Sequence, residues 1–156
     1  MPITDLITVE RISCNAHAVS KRNALEILSG LLSSGLPGLP AGELFTSLIE
    51  RENLGSTGLG RGVAIPHGRL KGSPVAVGAF LKLAQAVDFG ATDRQPVDLL
   101  FALIVPDHYT DEHLEILSLL ANLFSDKAMC EKMRGATAAN GLLKLLTHWQ
   151  AQHAPA

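Results

Sequence analysis

Residues 55–68 read GSTGLGRGVAIPHG, and the rest of the chain is best understood from this stretch outward. Four glycines lie within eight residues, from Gly55 to Gly62. Glycine loses more backbone entropy on folding than other residues, so this density predicts a loop whose backbone approaches something closely or adopts positive φ. The apolar residues 63–65 predict a short strand, and Pro66 should end it because proline cannot donate a ladder hydrogen bond. The pattern therefore places His67 at a strand end, beside a glycine loop.

That arrangement suits an anion. Bare backbone N–H groups can form a nest for phosphate oxygens. An imidazole can act as a nucleophile or carry a proton near neutral pH. The same residues would also fit a simple glycine-rich turn followed by a structural histidine. From the residues alone, both interpretations remain open.

Two common nucleotide motifs do not fit the loop. A P-loop would require Lys and then Ser or Thr after Gly60, where the chain has Arg61 and Gly62. The dinucleotide fingerprint G-x-G-x-x-G would begin at Gly58, but Val63 occupies its last position. The glycines also precede a short strand and do not open a helix. Nucleotide binding is therefore disfavoured.

Length and composition narrow the class of protein. The chain has 156 residues, of which 47% are hydrophobic, and a formal net charge of −2. We expect one domain over residues 1–150 and a flexible C-terminal tail over residues 151–156. The lack of any long basic run argues against nucleic-acid binding. With no membrane-length apolar segment and no signal peptide, the sequence predicts a cytoplasmic protein without direct membrane insertion. The two cysteines, Cys14 and Cys130, match no zinc or redox spacing and are expected to be free thiols.

Helices are predicted before and after a central group of strands. Ser20 resembles an N-cap, and apolar residues at helical spacing follow it. The remaining predicted helices cover residues 41–51, the segment after Thr110, and about 126–133 and 138–149. The predicted strands are residues 63–65, 75–83 and 97–105. Residues 14–19 are expected to be extended, whereas residues 3–9 fit either a helical turn or a strand.

The last predicted strand carries information about the fold class. Its apolar residues hardly alternate with polar ones, and Asp98 near its start is the exception. Such a pattern is typical of a strand covered on both faces. Helices on either side of the strands in sequence agree with an α/β fold whose sheet is covered on both faces. The pattern does not determine the order of the strands.

A second informative stretch covers residues 107–113, DHYTDEH. Thr110 is a plausible N-cap, and Asp111 and Glu112 suit the first turn of a helix. His113 then lies in that first turn, a few residues after a strand end. If this strand and the strand before Pro66 are neighbours, His67 and His113 could meet at one rim of the sheet.

Residues 51–67, RENLGSTGLGRGVAIPH, resemble the phosphorylation-site signature of the enzyme IIA domains of the fructose–mannitol class. These domains belong to the bacterial phosphoenolpyruvate-dependent phosphotransferase system. Residues 95–106, QPVDLLFALIVP, are similar to the nitrogen-regulatory branch of that class. The resemblance extends over about residues 3–148. It implies a three-layer α/β/α sandwich with a central mixed sheet flanked by helices, and it implies no cofactor.

The resemblance also implies catalytic roles. It makes His67 the phosphoryl acceptor and donor, and His113 a second active-site histidine beside it. Arg51, at the start of the signature, is expected to neutralise the phosphoryl group. Each residue also has a structural alternative. Arg51 would be favourable simply as a cation near a helix C-terminus, and His113 would be an ordinary helix-end histidine.

The glycine loop is expected to supply phosphate-binding donors. These are the hydroxyl groups of Ser56 and Thr57 and the backbone amides of Gly58 and Gly60. The alternative for Ser56 and Thr57 is that they are ordinary turn residues.

The implied function is that of a phosphohistidine-carrying enzyme IIA of the nitrogen-related system. Its phosphodonor would be an HPr-like carrier protein, and its phosphorylation state would regulate target proteins such as kinases or transporters. The alternative is a sugar-specific IIA component that passes phosphate to a separate IIB protein.

Two other chemistries are disfavoured. A metal site could use the ligand types found at Asp107, His108, Asp111, His113 and His67, but these residues lack an H-E-x-x-H or comparable spacing. A serine hydrolase would require a G-x-S-x-G elbow, which the sequence does not contain. We therefore predict no metal.

Overall fold

The structure, a computed structural model that describes residues 2–153, consists of a mixed β-sheet between two layers of helices. The described residues form six strands: β1 (Ile12–Ala16), β2 (Gly58–Gly60), β3 (Val63–Ala64), β4 (His67–Leu70), β5 (Val77–Val87) and β6 (Val97–Pro106). They also form five α-helices: α1 (Lys21–Ser33), α2 (Ala41–Leu54), α3 (Asp111–Ser125), α4 (Lys127–Gly135) and α5 (Ala139–His153). Two short 3₁₀ turns, Ile3–Asp5 and Val9–Arg11, precede β1.

Strand β6 is the centre of the sheet. It pairs antiparallel with β5 on one side and parallel with both β3 and β4 on the other. The strand order is β1-β5-β6-β3-β2, with β4 beside β6 next to β3. Every residue of β6 except Asp98 is buried, as the lack of polar alternation predicted.

The two faces of the sheet are covered by different helices. On one face, Leu100 and Ile104 of β6 join the buried cluster formed by α1 and α2. On the other face, Phe101 and Leu103 join the cluster formed by α3, α4 and α5. Because successive strand residues point to opposite faces, a strand covered on both sides must be apolar throughout. The predicted three-layer α/β/α sandwich with a mixed sheet is confirmed.

The chain around His67 differs from the prediction in one important respect. Strand β3 ends at Ala64, one residue earlier than predicted, and the chain resumes pairing directly after Pro66, so His67 is the first residue of β4. The carbonyl oxygen of Pro66 still accepts a hydrogen bond from the Leu103 amide at 2.9 Å. Proline removes only a donor, so it interrupts the ladder without moving the chain away from β6. Arg69 and Leu70 also belong to this strand, which the sequence did not predict.

Several other boundaries differ as well. The predicted extended segment at 14–19 is β1, which begins and ends earlier, and a short strand, β2, lies within the glycine loop. Helix α5 continues through Ala151–His153, which were assigned to the tail, whereas residues 154–156 lie outside the described part of the chain.

The predicted helix starts are largely correct. The Ser20 hydroxyl caps α1 by accepting from the Asn23 amide at 3.1 Å. Thr110 occupies the N-cap position of α3, but its side chain makes no capping hydrogen bond. The two cysteines are free thiols, as predicted.

Candidate functional site

The end of α2, strand β4 and the start of α3 surround a cleft of about 610 Å³ at the rim of the sheet. Helix α2 contributes Arg51, β4 contributes His67 and Arg69, and α3 contributes His113. The two histidines converge because β4 runs parallel beside β6, and β6 leads into α3. The sequence-based expectation that both histidines meet at one rim is confirmed.

His67 is half-buried and its ring is fixed by the backbone. Its Nδ1 atom lies 2.8 Å from the carbonyl oxygen of Ile65. A carbonyl oxygen can only accept, so Nδ1 carries the hydrogen and Nε2 of the neutral ring keeps its lone pair. Burial is the largest influence and lowers the pKa of His67. The hydrogen bond with the Ile65 carbonyl partly opposes it, the nearby Arg51 charge lowers the pKa further, and Glu52 has the smallest, opposing effect. The site therefore favours a neutral imidazole at pH 7.

His113 stands beside His67 with its ring nearly perpendicular. The ring centroids are 5.4 Å apart and the planes are inclined by 80°. Among the described residues, Nε2 of His113 is buried and has no hydrogen-bond partner. Burial lowers the pKa of His113, and the neighbouring His67 and Arg69 lower it further. A buried, unpartnered ring nitrogen at the wall of a cleft is free to bond an incoming group.

Two arginines reach the same cleft. Nη1 of Arg51 donates to the carbonyl oxygen of Gly55 at 2.9 Å, which keeps the guanidinium at the C-terminal end of α2. Nη1 of Arg69 donates to the carbonyl oxygen of Tyr109 at 3.2 Å. Each guanidinium carries five N–H donors, so donors remain for an anion in the cleft.

Arg69 was not predicted to be a site residue. His67 and Arg69 are two residues apart on one strand and therefore point to the same face of it. This period-two relationship was available in the sequence, but it required recognising β4 as a strand.

The predicted phosphate donors of the glycine loop lie elsewhere. None of the four, Ser56, Thr57, Gly58 or Gly60, lines the cleft around His67, Arg51 and His113 in the described structure. The Ser56 hydroxyl donates to the carbonyl oxygen of Phe89 at 3.1 Å and accepts from the Gly58 amide at 3.1 Å. Thr57 is buried, and both its hydroxyl and its amide donate to the carboxylate of Glu52. Gly60 has a φ of +92° and faces the carboxylate of Asp93.

Residues 2–153 contain neither a metal-binding cluster nor a membrane-length apolar helix. No three His, Cys, Asp or Glu side chains among them are placed so that they could hold a metal ion, so the alternative metal site is not assembled there. None of their helices combines the length and hydropathy that crossing a bilayer requires.

The family of the chain follows from comparison with known proteins. The family model described as "Phosphoenolpyruvate-dependent sugar phosphotransferase system, EIIA 2" matches residues 5–149. The chain belongs to this family. Enzyme IIA components of the phosphotransferase system are phosphoryl carriers, so the family agrees with the neutral histidine and the two cations of the cleft.

Relatives place the chain within the nitrogen-regulatory branch. It is 41% identical over 148 residues to the nitrogen regulatory protein of Escherichia coli K12, covering 94% of this chain and 90% of the relative. A fructose-specific EIIA component from Haloferax volcanii is 32% identical over 136 residues, covering 85% and 88%. The sequence-based resemblance to nitrogen-regulatory IIA proteins is therefore confirmed.

Solved structures support the same family and fold. The crystal structure of nitrogen regulatory protein IIA-Ntr from Neisseria meningitidis superposes with a TM-score of 0.88 at 41% identity, covering 93% of this chain and 99% of that one. The IIA mannitol protein of Escherichia coli, at 24% identity and a TM-score of 0.76, shares the fold.

Proposed function

We propose that this protein accepts a phosphoryl group on Nε2 of His67 from an HPr-like phosphocarrier protein in the cytoplasm, and that its phosphorylation state regulates target proteins. The observation that carries the proposal is the contact between Nδ1 of His67 and the Ile65 carbonyl. This contact fixes the tautomer in which Nε2 is the nucleophile, and it lies in the cleft of a protein whose family carries phosphoryl groups.

The chemistry requires little covalent work from other side chains. The Nε2 lone pair of His67 forms the new bond to phosphorus, while the carrier's own bond to phosphorus breaks and its electron pair returns to the carrier. The proton on Nδ1 stays there, held by Ile65. Catalysis then consists of aligning the groups and stabilising charge on the three phosphoryl oxygens.

Three side chains of the cleft can stabilise the negative charge on the phosphoryl oxygens. Arg51 and Arg69 supply charge-assisted hydrogen bonds, which are stronger than neutral ones. His113, with its unpartnered Nε2, supplies a further donor when that nitrogen carries the ring hydrogen. The roles of His67, Arg51 and His113 are those that the family resemblance implies, and we add Arg69 because it lines the same cleft.

A carrier protein needs a surface on which to dock. Two leucines of the cleft wall are unusually exposed, Leu54 at 85% and Leu114 at 64%. Leu59 of the glycine loop is 48% exposed but does not line the cleft, and Leu70 of β4 is half-buried. Exposed apolar side chains around a charged centre are typical of protein–protein docking sites. They support a protein, and not a small molecule, as the phosphodonor.

The experiment is phosphoryl transfer in a purified system. The protein is incubated with phosphoenolpyruvate, enzyme I and an HPr-like carrier, and acid-labile, base-stable phosphate is measured. Wild type and the His148→Ala control, which removes an exposed histidine on α5, should be phosphorylated equally. His67→Ala should incorporate none. Phosphorylation of His67→Ala at the wild-type level would refute the assignment.

A sugar-specific role is the second candidate. A structure similar in fold is the complex of enzyme IIAMtl with phosphorylated enzyme IIBMtl, in which a IIA protein of this fold meets a IIB protein. The nitrogen-regulatory relatives favour regulation for this chain. Transfer from the phosphorylated protein to a purified IIB at a rate comparable to its own phosphorylation would favour the sugar-specific role.

A further inference from the structure

A chain of hydrogen bonds, closed into a ring by the peptide bond between Ser56 and Thr57, joins the glycine loop to the end of α2. Thr57 donates to Glu52 through its hydroxyl, and its amide donates to the same carboxylate at 3.2 Å. Lys21, at the start of α1, pairs with Glu52 at 2.8 Å and also donates to the carbonyl oxygen of Phe89 at 3.1 Å. Ser56 donates to that same carbonyl at 3.1 Å. We call these five residues the loop clamp.

The clamp is built around a buried charge. The side chain of Glu52 is 0% exposed and that of Lys21 is 27% exposed. A buried carboxylate is tolerated only when it is paired and hydrogen-bonded, and Glu52 has three such contacts. The ammonium group of Lys21 also lies over the Phe89 ring, 4.5 Å from its centroid. Nothing in the proposed transfer chemistry uses this ion pair.

The clamp leaves little hydrogen-bonding capacity for phosphate. A hydroxyl group can donate only one hydrogen bond. The Ser56 hydroxyl already donates to the Phe89 carbonyl oxygen, and the Thr57 hydroxyl donates to the Glu52 carboxylate. The Gly58 amide is given to the Ser56 oxygen. Phosphate oxygens accept hydrogen bonds, so they would have to compete with these internal acceptors, one of which is a buried carboxylate.

The clamp does hold the part of the chain that carries Arg51. Glu52 follows Arg51 directly on the last turns of α2. The guanidinium of Arg51 is bonded to the carbonyl oxygen of Gly55, which lies between the two clamped segments, Glu52 and Ser56–Thr57. Fixing both sides of Gly55 therefore fixes the acceptor that aims the Arg51 guanidinium.

We propose that the loop clamp positions Arg51 for phosphoryl transfer, and that Ser56 and Thr57 act within the clamp and not as phosphate ligands. This inference rests on the proposed function, since it assigns a role in the same transfer step. Glu52 and Thr57 are positioning residues that act through Arg51. The clamp also ties the entry of α1 and the β5–β6 connection to the site.

A double-mutant cycle tests the inference through the phosphoryl-transfer rate from the carrier. Thr57→Val replaces the hydroxyl by a methyl group of similar shape. In the otherwise wild-type protein, Thr57→Val should slow transfer about tenfold, whereas in the Arg51→Ala protein it should change the rate by less than about twofold. The two effects should not add because Thr57 acts through Arg51. Thr57→Ser should restore the rate. Thr46→Val, on the exposed face of α2, is the matched control and should behave as wild type.

Each outcome decides between the interpretations. Equal slowing by Thr57→Val in both Arg51 backgrounds would show direct phosphate contact or a general structural effect and would overturn the inference, as would an unchanged rate in the Arg51 background. If Thr57→Val does not fold, Ser56→Ala replaces it in the same cycle, with an expected slowing of about threefold that Arg51→Ala abolishes. Absence of phosphorylation of the wild type would instead refute the proposed function and leave the clamp without this role.

Discussion

The rings of His67 and His113 lie 5.4 Å apart between centroids, inclined by 80°, so that the edge of one imidazole faces the plane of the other. The two residues come from different elements, β4 and the first turn of α3, and burial lowers the pKa of both. Two neutral imidazoles at one cleft can divide the labour of phosphoryl transfer. In the proposed transfer, His67 supplies a lone pair to phosphorus and His113 supplies a hydrogen bond to a phosphoryl oxygen.

Replacing Arg51 by alanine should slow phosphorylation with little loss of stability. The lost charge-assisted hydrogen bond is worth about 1.5–3 kcal/mol, which corresponds to about ten- to hundredfold in rate. The measurement is transfer from the carrier under single-turnover conditions, with thermal unfolding followed in parallel. Lys71→Ala removes an equal charge from an exposed site and is the control. If Arg51→Ala folds well and is phosphorylated at the wild-type rate, Arg51 has no role in transfer and acts only as a favourable charge at the end of α2.

The pKa of His67 should lie below the ordinary histidine value of about 6.5. Burial is the largest cause, and the positive charge of Arg51 adds to it by disfavouring the protonated ring. Arg51→Ala should therefore raise this pKa, whereas Glu52→Gln should lower it, because the carboxylate favours the protonated ring. Titration of the imidazole resonances by NMR measures all three values. The two substitutions should shift the pKa of His67 in opposite directions. If both raised it or both lowered it, the charges of Arg51 and Glu52 would not act on His67 as described.

The pKa has a consequence for activity. Only the neutral ring has a lone pair on Nε2, so the acceptor is inactivated as the pH falls through the pKa of His67. Since that pKa is lowered, acceptance should persist to a more acidic pH than an exposed histidine would allow, and Arg51→Ala should move the acidic limb of the profile upward.

Gly62 tests whether the end of the glycine loop next to β3 requires glycine. Its φ is +82°, and an added Cβ would lie 2.6 Å from Nη2 of Arg134 and 2.9 Å from Oδ1 of Asp98. These two side chains form an ion pair at 2.9 Å, so a methyl group here strains the backbone and disturbs the pair. Gly62→Ala should lower the free energy of unfolding by about 1–3 kcal/mol.

The matched control is Gly30→Ala in α1, where an added Cβ meets nothing within 4 Å. This substitution should stabilise the protein by about 0.4–1 kcal/mol because alanine restricts the unfolded chain. Urea unfolding of both variants checks the pair of predictions. Equal changes in the free energy of unfolding for the two variants would show that neither the positive φ of Gly62 nor its contact with Arg134 and Asp98 restricts this position.

Phosphorylation should change partners through local charge and leave the fold unaltered. A phosphohistidine adds close to two negative charges, by analogy with other phosphorylated side chains. His67 is held on β4, which pairs along its length with the buried strand β6. Amide chemical-shift changes should therefore be confined to residues near 51–69 and 107–114. Widespread changes in residues 24–32 and 138–149 would show a global rearrangement and contradict this prediction.

The sequence predicted the features that depend on local pattern. The apolar run of β6, interrupted only by Asp98, indicated a sheet covered on both faces. The positions of His67 and His113 after strand ends allowed a common rim, but that two of these strands are neighbours came only from the structure. Strands β2 and β4 were missed because they are short and glycine-containing, so no alternation could reveal them. The roles of Ser56 and Thr57 could not be predicted, because their hydroxyl groups are engaged by Glu52 and Phe89 through contacts that only the folded chain creates.

The central claim is that Nε2 of His67 carries the phosphoryl group. Long-range ¹⁵N–¹H correlation NMR of the protein, phosphorylated through the HPr-like carrier, tests this claim most directly because it resolves the two nitrogens of each imidazole. We predict that Nε2 of His67 shows coupling to phosphorus, that Nδ1 keeps its hydrogen, and that His113 remains unmodified. A phosphoryl group on Nδ1 of His67, or on His113, would contradict the account.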